Sequence, residues 1–208
     1  MTPDPDPRSA TVAAYDAGAR AYAAASPVAP DSVRADIEAF ARVLGAGARV
    51  LEIGSAGGRD AALMEELGLR VRRTDITPAF VDLLREQGHE ADVLDPLTDD
   101  VGSPDGPYDA VWANASLLHV ARADLGTVLE RLRRATRTGG LLRLSVKEGD
   151  GEGWSTHGSV AAPRHFTYWR AAPLREVVVT AGWVDVEVRS GIAGERRESW
   201  LEATAVRG

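Results

Sequence analysis

The sequence predicts an α/β fold in which a doubly wound, mostly parallel sheet ends in an antiparallel hairpin. Between residues 49 and 147, short apolar runs alternate with amphipathic segments. This alternation is typical of parallel strands covered by helices on both faces. A glycine-rich turn at residues 54–58 joins the first apolar run to a helix. Residues 184–188 and 200–206 alternate apolar and polar side chains, which predicts two half-buried strands that pair with each other.

The composition places limits on the class of protein and its partners. The chain has 208 residues and a formal net charge of −7, enough for one α/β domain but not basic enough for a nucleic-acid partner. It has no cysteine and no apolar run that approaches the ~18 residues of a membrane span. Residues 1–10 are rich in proline and lack a signal-peptide pattern, so we expect a disordered tail on a cytoplasmic protein. Residues 11–208 are expected to form a single domain.

Two helices are predicted before the sheet begins. Residues 8–25 form the first, and residues 31–44 form the second, with Asp31 as its N-cap and Gly45 as its end. We expect residues 11–45 to form a cap over the functional site.

The chain then alternates strands with helices. Thr77 and Pro78 provide an N-cap and a first-turn proline for one helix, which Gly88 ends. In chain order, the predicted elements are strand 49–51, helix 60–67, strand 70–74, helix 77–88, strand 91–94, strand 108–113, helix 122–137, strand 141–146, helix 171–181 and the two hairpin strands. Residues 149–169 show no clear period and contain several aromatic side chains, which suits either a lid over a small organic substrate or a hydrophobic cluster under a long connection.

The glycine-rich turn and Asp75 indicate a site for an adenosine cofactor. In a doubly wound sheet the ligand lies outside the carboxyl ends of the strands, and small residues let it approach the backbone. Asp75 ends the second strand, where an acidic side chain binds a ribose hydroxyl pair. A nicotinamide fingerprint would need glycine where the chain has Ala56 and Arg59, and there is no Gly-Lys-Ser/Thr phosphate loop.

The motifs at the strand ends resemble those of the class I S-adenosylmethionine-dependent methyltransferases, over roughly residues 12–206. Ala56 departs from the family pattern, which usually has a second glycine there. The segments that carry the resemblance are residues 51–60 (LEIGSAGGRD), 74–78 (TDITP), 91–92 (AD), 108–113 (YDAVWA), 116–120 (SLLHV) and 138–142 (TGGLL).

This resemblance implies a Rossmann-like seven-strand methyltransferase fold, S-adenosyl-L-methionine as cofactor and S-adenosylhomocysteine as product. It further implies that Asp75 accepts hydrogen bonds from the ribose, that Asp92 and the Val93 N–H hold the adenine edge, and that Arg59 meets the cofactor carboxylate. The implied cofactor-binding residues are Tyr15, Tyr22, Glu52, Gly54, Ser55, Ala56, Gly58, Arg59, Asp75, Ile76, Asp92, Val93, Asn114 and Ala115. Simpler alternatives remain: packing for the tyrosines, a turn cap for Asp92 and a solvated surface position for Arg59.

His119 is the predicted catalytic residue, because it follows the fourth strand and imidazole titrates near neutrality. A hydrogen-bonded structural histidine is the alternative. Lys147 stands at the end of the fifth strand and either binds an anionic substrate group or pairs with Glu148. The predicted substrate-binding residues are Ser116, His119, Lys147, Trp154, His157, Arg164, Phe166 and Tyr168, and no metal is expected.

The expected function is methyl transfer to a small organic acceptor, with oxygen before nitrogen as the acceptor atom. We expect no nucleic-acid or membrane partner, and a monomer or homodimer. A cyclase or pericyclic catalyst on the same cofactor fold is one alternative. An RNA or protein methyltransferase is another, and it would use the only basic cluster, Arg131, Arg133, Arg134 and Arg137.

Overall fold

A computed structural model describes residues 6–157, 160–193 and 198–208. Six helices and nine strands are assigned in this part of the chain. The helices are α1 (Pro7–Ala25), α2 (Asp31–Leu44), α3 (Arg59–Glu66), α4 (Pro78–Glu86), α5 (Leu125–Ala135) and α6 (Ala171–Thr180). The strands are β1 (Arg49–Ile53), β2 (Arg70–Asp75), β3 (Ala91–Val93), β4 (Tyr108–Ala113), β5 (Thr136–Lys147), β6 (Glu152–Ser155), β7 (Arg164–Thr167), β8 (Trp183–Ala193) and β9 (Glu198–Arg207).

Seven strands form one sheet in the order β3-β2-β1-β4-β5-β9-β8. The first five are parallel, whereas β9 runs antiparallel to both β5 and β8. The predicted doubly wound sheet with a C-terminal antiparallel hairpin is therefore confirmed. The strand order reverses between β1 and β4, so the carboxyl ends of these two strands flank the crevice in which such folds bind ligands.

Helices cover both faces of the sheet because successive strand residues point to opposite sides. On one face, Leu51 and Val111 join a cluster with α5 and α6 that includes the buried Trp183. On the other face, Trp112 packs with α2, its ring 5.2 Å from that of Phe40. The two apolar clusters fix the strand ends, from which the cavity described below is built.

The prediction for residues 1–10 is wrong where the structure describes them, because α1 already begins at Pro7. Asp6 caps the helix: its Oδ2 accepts the Ser9 N–H at 3.0 Å, and proline is favoured in the first turn. Residues 1–5 lie outside the described residues.

The segment 149–169 is more regular than its sequence indicates. Strands β6 and β7 pair antiparallel as a small separate sheet, with Trp154 opposite His165. Strands of four residues are too short for a reliable period, and their pairing depends on the rest of the fold. Residues 158–159 of the predicted lid lie outside the described residues.

Candidate functional site

A cavity of about 420 Å³ lies at the carboxyl ends of β1, β2 and β4, beneath α1. Of the predicted site residues, those that line it are Tyr15, Tyr22, Glu52, Gly54, Ser55, Ala56, Arg59, Asp75, Ile76, Asn114, Ala115, Ser116 and His119. The fold therefore brings together residues that are up to 104 positions apart, as are Tyr15 and His119.

The turn after β1 needs residues without bulky side chains. Gly54 has a φ of 82°, and a Cβ atom there would lie 2.4 Å from the Cβ of Ser116. Ala56 also has a positive φ, 47°, which is uncommon for a residue other than glycine. The turn leaves backbone rather than side chains at the floor of the cavity. Gly58, the N-cap of α3, is outside the lining and serves the turn conformation.

Asp75 is held in place by the backbone on both sides. Its Oδ2 accepts the Ala56 N–H at 2.9 Å, and its Oδ1 accepts the Thr77 N–H at 2.8 Å. Burial raises the pKa of Asp75, and these two hydrogen bonds oppose the shift. Each carboxylate oxygen has a second lone pair, so Asp75 can accept further hydrogen bonds from a ligand in the cavity.

Glu52 is almost completely buried beneath the turn, and its carboxyl accepts a hydrogen bond from the Ser55 hydroxyl. Burial raises the pKa of Glu52 to about 8, and the Ser55 hydrogen bond opposes this. The side chain is therefore mainly protonated at neutral pH, which gives this end of the cavity a neutral hydrogen-bonding group.

The end of β4 carries a polar cluster that sequence reasoning only half identified. Asn114 Nδ2 donates to Asp60 Oδ2 at 2.8 Å, and Asn114 Oδ1 accepts the Ser145 hydroxyl at 2.7 Å. The same hydroxyl accepts the Ala115 N–H at 2.9 Å. The sequence analysis predicted no functional role for Asp60 or Ser145. The feature that could have identified Asp60 as a site residue is its position directly after Arg59, in the first turn of α3.

His119 is held by two partners, and together they define its tautomer. Its Nδ1 lies 2.7 Å from the carbonyl oxygen of His165, which can only accept, so Nδ1 carries the proton. Its Nε2 lies 2.9 Å from the Tyr15 hydroxyl and accepts from it. Burial lowers the pKa of His119 to about 4, so the ring is neutral at physiological pH.

Tyr15 links α1 to both His119 and β7. Burial raises the pKa of Tyr15 to about 12, so the hydroxyl stays protonated and donates a hydrogen bond to His119 Nε2. The hydroxyl oxygen accepts from Arg164 Nη1 at 3.3 Å. Thr11 Oγ1 accepts the His165 N–H at 2.9 Å, so two residues of α1 hold the β6–β7 hairpin against the cavity.

Asp92 and Val93, predicted at the adenine edge, are outside the cavity lining. Asp92 instead pairs with Arg72 at 2.8 Å, and Val93 is 48% exposed. The lining at this position comes from Leu94 and residues 95–97, which directly follow the last residue of β3.

Six predicted substrate-binding residues are also outside the lining, five of which are Lys147, Trp154, His157, Phe166 and Tyr168. Lys147 pairs with Glu198 at 3.1 Å, and its ammonium lies 4.8 Å from the Phe166 ring centre. Arg164 is outside the lining as well, and acts through its hydrogen bond to Tyr15. From this segment the lining takes Glu152 and His165.

Within residues 6–157, 160–193 and 198–208, no helix combines the length and the apolarity that crossing a membrane requires. The same residues contain no group of three or more histidine, aspartate or glutamate side chains arranged to hold a metal ion.

Part of the sequence is similar to known methyltransferases. Residues 51–144 match the sequence family described as "Methyltransferase domain". The ubiquinone biosynthesis O-methyltransferase of Xanthomonas oryzae pv. oryzae is 32% identical over 128 residues, which are 59% of this chain and 50% of that protein. The chain thus spans about half the length of the curated relatives it matches.

Solved structures agree in fold over nearly the whole chain. The Burkholderia thailandensis 1,6-didemethyltoxoflavin-N1-methyltransferase superposes with a TM-score of 0.72 at 22% identity, covering 100% of this chain and 92% of that one. Its structure contains 1,6-didemethyltoxoflavin and S-adenosylhomocysteine. The [4+2]-cyclase SpnF gives a TM-score of 0.70 at 18% identity, covering 98% and 96% of the two chains.

Proposed function

We propose that this chain, a member of the class I S-adenosylmethionine-dependent methyltransferases, transfers a methyl group to a small organic acceptor and releases S-adenosylhomocysteine. We place it in the cytoplasm, as a monomer or homodimer. The observation that carries the proposal is Asp75, a buried carboxylate that faces the cavity and is oriented by two backbone N–H groups.

The residues of the cavity fit the cofactor. Gly54 has no room for a Cβ atom, which would lie 2.4 Å from that of Ser116, so its backbone packs directly against Ser116 in the cavity lining. Asp75 would accept hydrogen bonds from the ribose hydroxyls, and Leu94 and Leu117 would supply apolar surface for the adenine. When bound, the cofactor supplies the reactive methyl group on a positively charged sulfur.

The remaining contribution of the protein is to align the acceptor and to exclude water. Helix α1 covers the cavity and is held there by Tyr15 and Thr11, which contact His119 and β7. Holding two reactants in an aligned geometry contributes a large part of catalysis when the reactive group belongs to the cofactor. We propose that α1 and the β6–β7 hairpin act as this cover, the role expected for residues 11–45 and 149–169.

His119 offers one lone pair to the acceptor, on Nε2. We propose that a hydroxyl or amine of the acceptor replaces Tyr15 as the donor to this atom. The His165 carbonyl keeps the ring in the required tautomer throughout, since it accepts the Nδ1 proton. Because the pKa of His119 is lowered to about 4, the ring stays neutral and orients the acceptor by accepting its hydrogen bond on Nε2 rather than by taking up its proton.

The charges of the lining favour a neutral or basic acceptor over an anionic one. Its two arginines are both ion-paired, Arg8 with Asp95 and Arg59 with Asp60. The other acidic side chains of the described lining are Asp6, Asp75, Asp124 and Glu152, together with Glu52, which is mainly protonated at neutral pH. We place oxygen first as the acceptor atom because the 32% identical relative is an O-methyltransferase, and nitrogen second because of the N1-methyltransferase neighbour.

Calorimetric titration with S-adenosylhomocysteine tests the proposal. We expect micromolar binding to the native protein and at least about tenfold weaker binding to Asp75→Asn, because a hydrogen bond to a charged group contributes about 1.5–3 kcal/mol. Asp109→Asn is the matched control, because Asp109 bonds Arg49 and Arg137 away from the cavity. Equal affinity of the native protein and Asp75→Asn, or no binding by the native protein, would contradict the cofactor assignment.

A cyclase or pericyclic catalyst is the second candidate, favoured by the similarity of the whole fold to the [4+2]-cyclase. Product mass separates the two: methyl transfer adds a methyl group and forms one S-adenosylhomocysteine per turnover, whereas cyclisation leaves the cofactor intact.

An RNA or protein substrate is less well supported. Three of the four arginines of the basic cluster bind within the chain: Arg131 with the carbonyl of Pro96, Arg134 with Glu130 and Arg137 with Asp109.

A further inference from the structure

Arg164, the first residue of β7, is a buried cation that forms no ion pair with the described residues. Only 3% of the residue is exposed. Its hydrogen-bond partners are all neutral: Nη1 donates to the Tyr15 hydroxyl at 3.3 Å, and Nη2 donates to the carbonyl oxygens of His157 and Val160. Burying a charge without an opposite charge is costly, which indicates that the charge of Arg164 serves more than packing.

This charge lies close to His119. The Tyr15 hydroxyl donates to His119 Nε2 at 2.9 Å and accepts from Arg164 Nη1, so a single oxygen atom stands between the guanidinium and the imidazole. The ring of Phe166 lies beside both groups, with its centre 5.3 Å from the guanidinium carbon and 4.7 Å from the centre of the His119 ring. Inside a protein, charges are screened far less than in water, so the guanidinium and the imidazole interact strongly.

The other titratable groups around His119 do not cancel this charge. They are Tyr15 on α1, Lys147 on β5 and His165 on β7. Lys147 is also a cation, but Glu198 pairs with it at 3.1 Å. The Tyr15 hydroxyl is neutral because burial raises its pKa to about 12, and His165 bonds His119 through its carbonyl oxygen. In the part of the chain that the structure describes, the guanidinium is thus the uncompensated charge nearest to the imidazole.

The consequence for His119 is a ring that stays neutral. Burial lowers its pKa most, the His165 carbonyl opposes this by accepting the Nδ1 proton, and the positive charge of Arg164 adds to the lowering. A protonated ring would carry a proton on Nε2 and could not accept a hydrogen bond there. A charge that disfavours this protonation preserves the lone pair that the methyl acceptor needs.

We propose that Arg164 is a positioning residue: its charge keeps a proton off His119 Nε2, so that this atom stays free to accept a hydrogen bond from the methyl acceptor. This inference rests on the proposed function, in which the methyl acceptor donates to Nε2. Arg164 acts through Tyr15 and His119 and touches neither ligand, in agreement with its place outside the cavity lining.

Titration of the histidine ring resonances by NMR tests this inference without cofactor or methyl acceptor. The chain has four histidines, and the resonance of His119 is identified by its loss in His119→Asn. With a pKa of about 4, roughly 3% of the His119 rings in the native protein are protonated at pH 5.5. Arg164→Gln removes the charge but keeps a hydrogen-bond donor. We expect it to raise the pKa of His119 by at least about one unit, and the protonated fraction at pH 5.5 to roughly 25% or more.

Two further variants separate the charge from the contacts. Arg164→Lys keeps the charge but loses the planar set of donors, so the pKa of His119 should stay within about half a unit of native. Lys147→Gln removes the cation that Glu198 already compensates, and it should also stay within about half a unit. If Arg164→Gln does not fold, the same titration is made with citrulline at this position, which has the shape of arginine without its charge.

Three outcomes would overturn the inference. His119 could titrate near 6.5 in the native protein, which is a readout that needs no variant. Loss of the charge at position 164 could leave the titration as in the native protein. Arg164→Lys and Arg164→Gln could shift the pKa equally, which would show that the contacts of Arg164 act on His119 rather than its charge. Each of these outcomes leaves the proposed function standing, since that function is contradicted separately, by absent binding of S-adenosylhomocysteine.

Discussion

The cavity has two walls that are built in different ways. We call the ends of β1, β2 and β4 with their turns the sheet wall, and α1 with the β6–β7 hairpin the helix wall. In the sheet wall, backbone bonds fix the turn: the N–H groups of Gly54 and Ser55 both donate to the carbonyl of Thr74 at 2.9 Å. In the helix wall, the link to the rest of the site is made by side chains, above all by Tyr15.

This difference indicates a division of tasks. Backbone bonds within a sheet hold their geometry whether or not a ligand is bound, so the sheet wall is ready to receive the cofactor. Side-chain contacts between distant segments can break individually at a cost of about 1 kcal/mol each. We therefore propose that the helix wall is the part that opens for entry of the ligands and closes for the reaction.

The largest effect is expected from Gly54→Ala, which tests whether the sheet wall is rigid. The added Cβ would lie 2.4 Å from that of Ser116, at a φ of 82° that disfavours any side chain. We expect binding of S-adenosylhomocysteine to weaken by at least about 30-fold in calorimetry, from overpacking and strain together.

The double variant Gly54→Ala/Ser116→Gly relieves the contact but not the backbone strain, so it should regain part of the affinity. Near-native binding by Gly54→Ala alone would show that the turn yields easily, and the contrast between the walls would then be lost.

The sequence predicted the sheet wall well because its determinants are local. A turn with glycines between a strand and a helix, and an acidic residue at the end of the next strand, require only neighbouring residues. Asp92 was misplaced because β3 has three residues, too few for a period to show where the strand ends relative to the cavity. Asp60 was missed because its role depends on Trp112 and Asn114, which only the folded sheet brings close.

The helix wall was predicted only in outline, for the same reason. The sequence marked Tyr15 and His119 separately, but their contact joins α1 to the end of β4 and has no local signature. Likewise, the pairing of Trp154 with His165 that creates the hairpin is absent from any short window of sequence.

An intermediate effect is expected from pH, through His119, which Tyr15 joins to the helix wall. Burial lowers its pKa in the folded protein to about 4, against about 6.5 in the unfolded chain, so between these values the unfolded chain binds more protons. The contribution of His119 to the unfolding free energy is therefore complete above about pH 6.5, and it is lost as the pH falls toward 4. We expect His119 to contribute roughly 2 kcal/mol of lost unfolding free energy between pH 7 and pH 5.

Urea unfolding of the native protein and His119→Asn at both pH values measures this contribution. The fall in unfolding free energy should be smaller in the variant by that amount, because its side chain does not titrate. His89→Asn, outside the cavity lining, is the control and should retain the full fall. A variant that loses stability toward pH 5 as steeply as the native protein would show that His119 is not buried in this way.

The smallest effect is expected from Tyr15→Phe, which tests whether the two walls are separable. The change removes the donor to His119 Nε2 and the acceptor for Arg164, at a cost of about 1–2 kcal/mol in unfolding free energy. Tyr22→Phe is the matched control: its ring packs 5.7 Å from that of Tyr15, but its hydroxyl makes no hydrogen bond to the described residues.

The two walls are separable if ligand binding at the sheet wall does not respond to these changes. Binding of 5′-methylthioadenosine, which lacks the amino-acid end of the cofactor and depends on the sheet wall, should stay within about threefold of native in both variants. The methylation rate at saturating cofactor should fall in Tyr15→Phe alone, because a helix wall that opens more often admits water and loosens the acceptor. If Tyr15→Phe instead weakened 5′-methylthioadenosine as much as Asp75→Asn does, α1 would be part of the cofactor site, and the two walls would act as one unit.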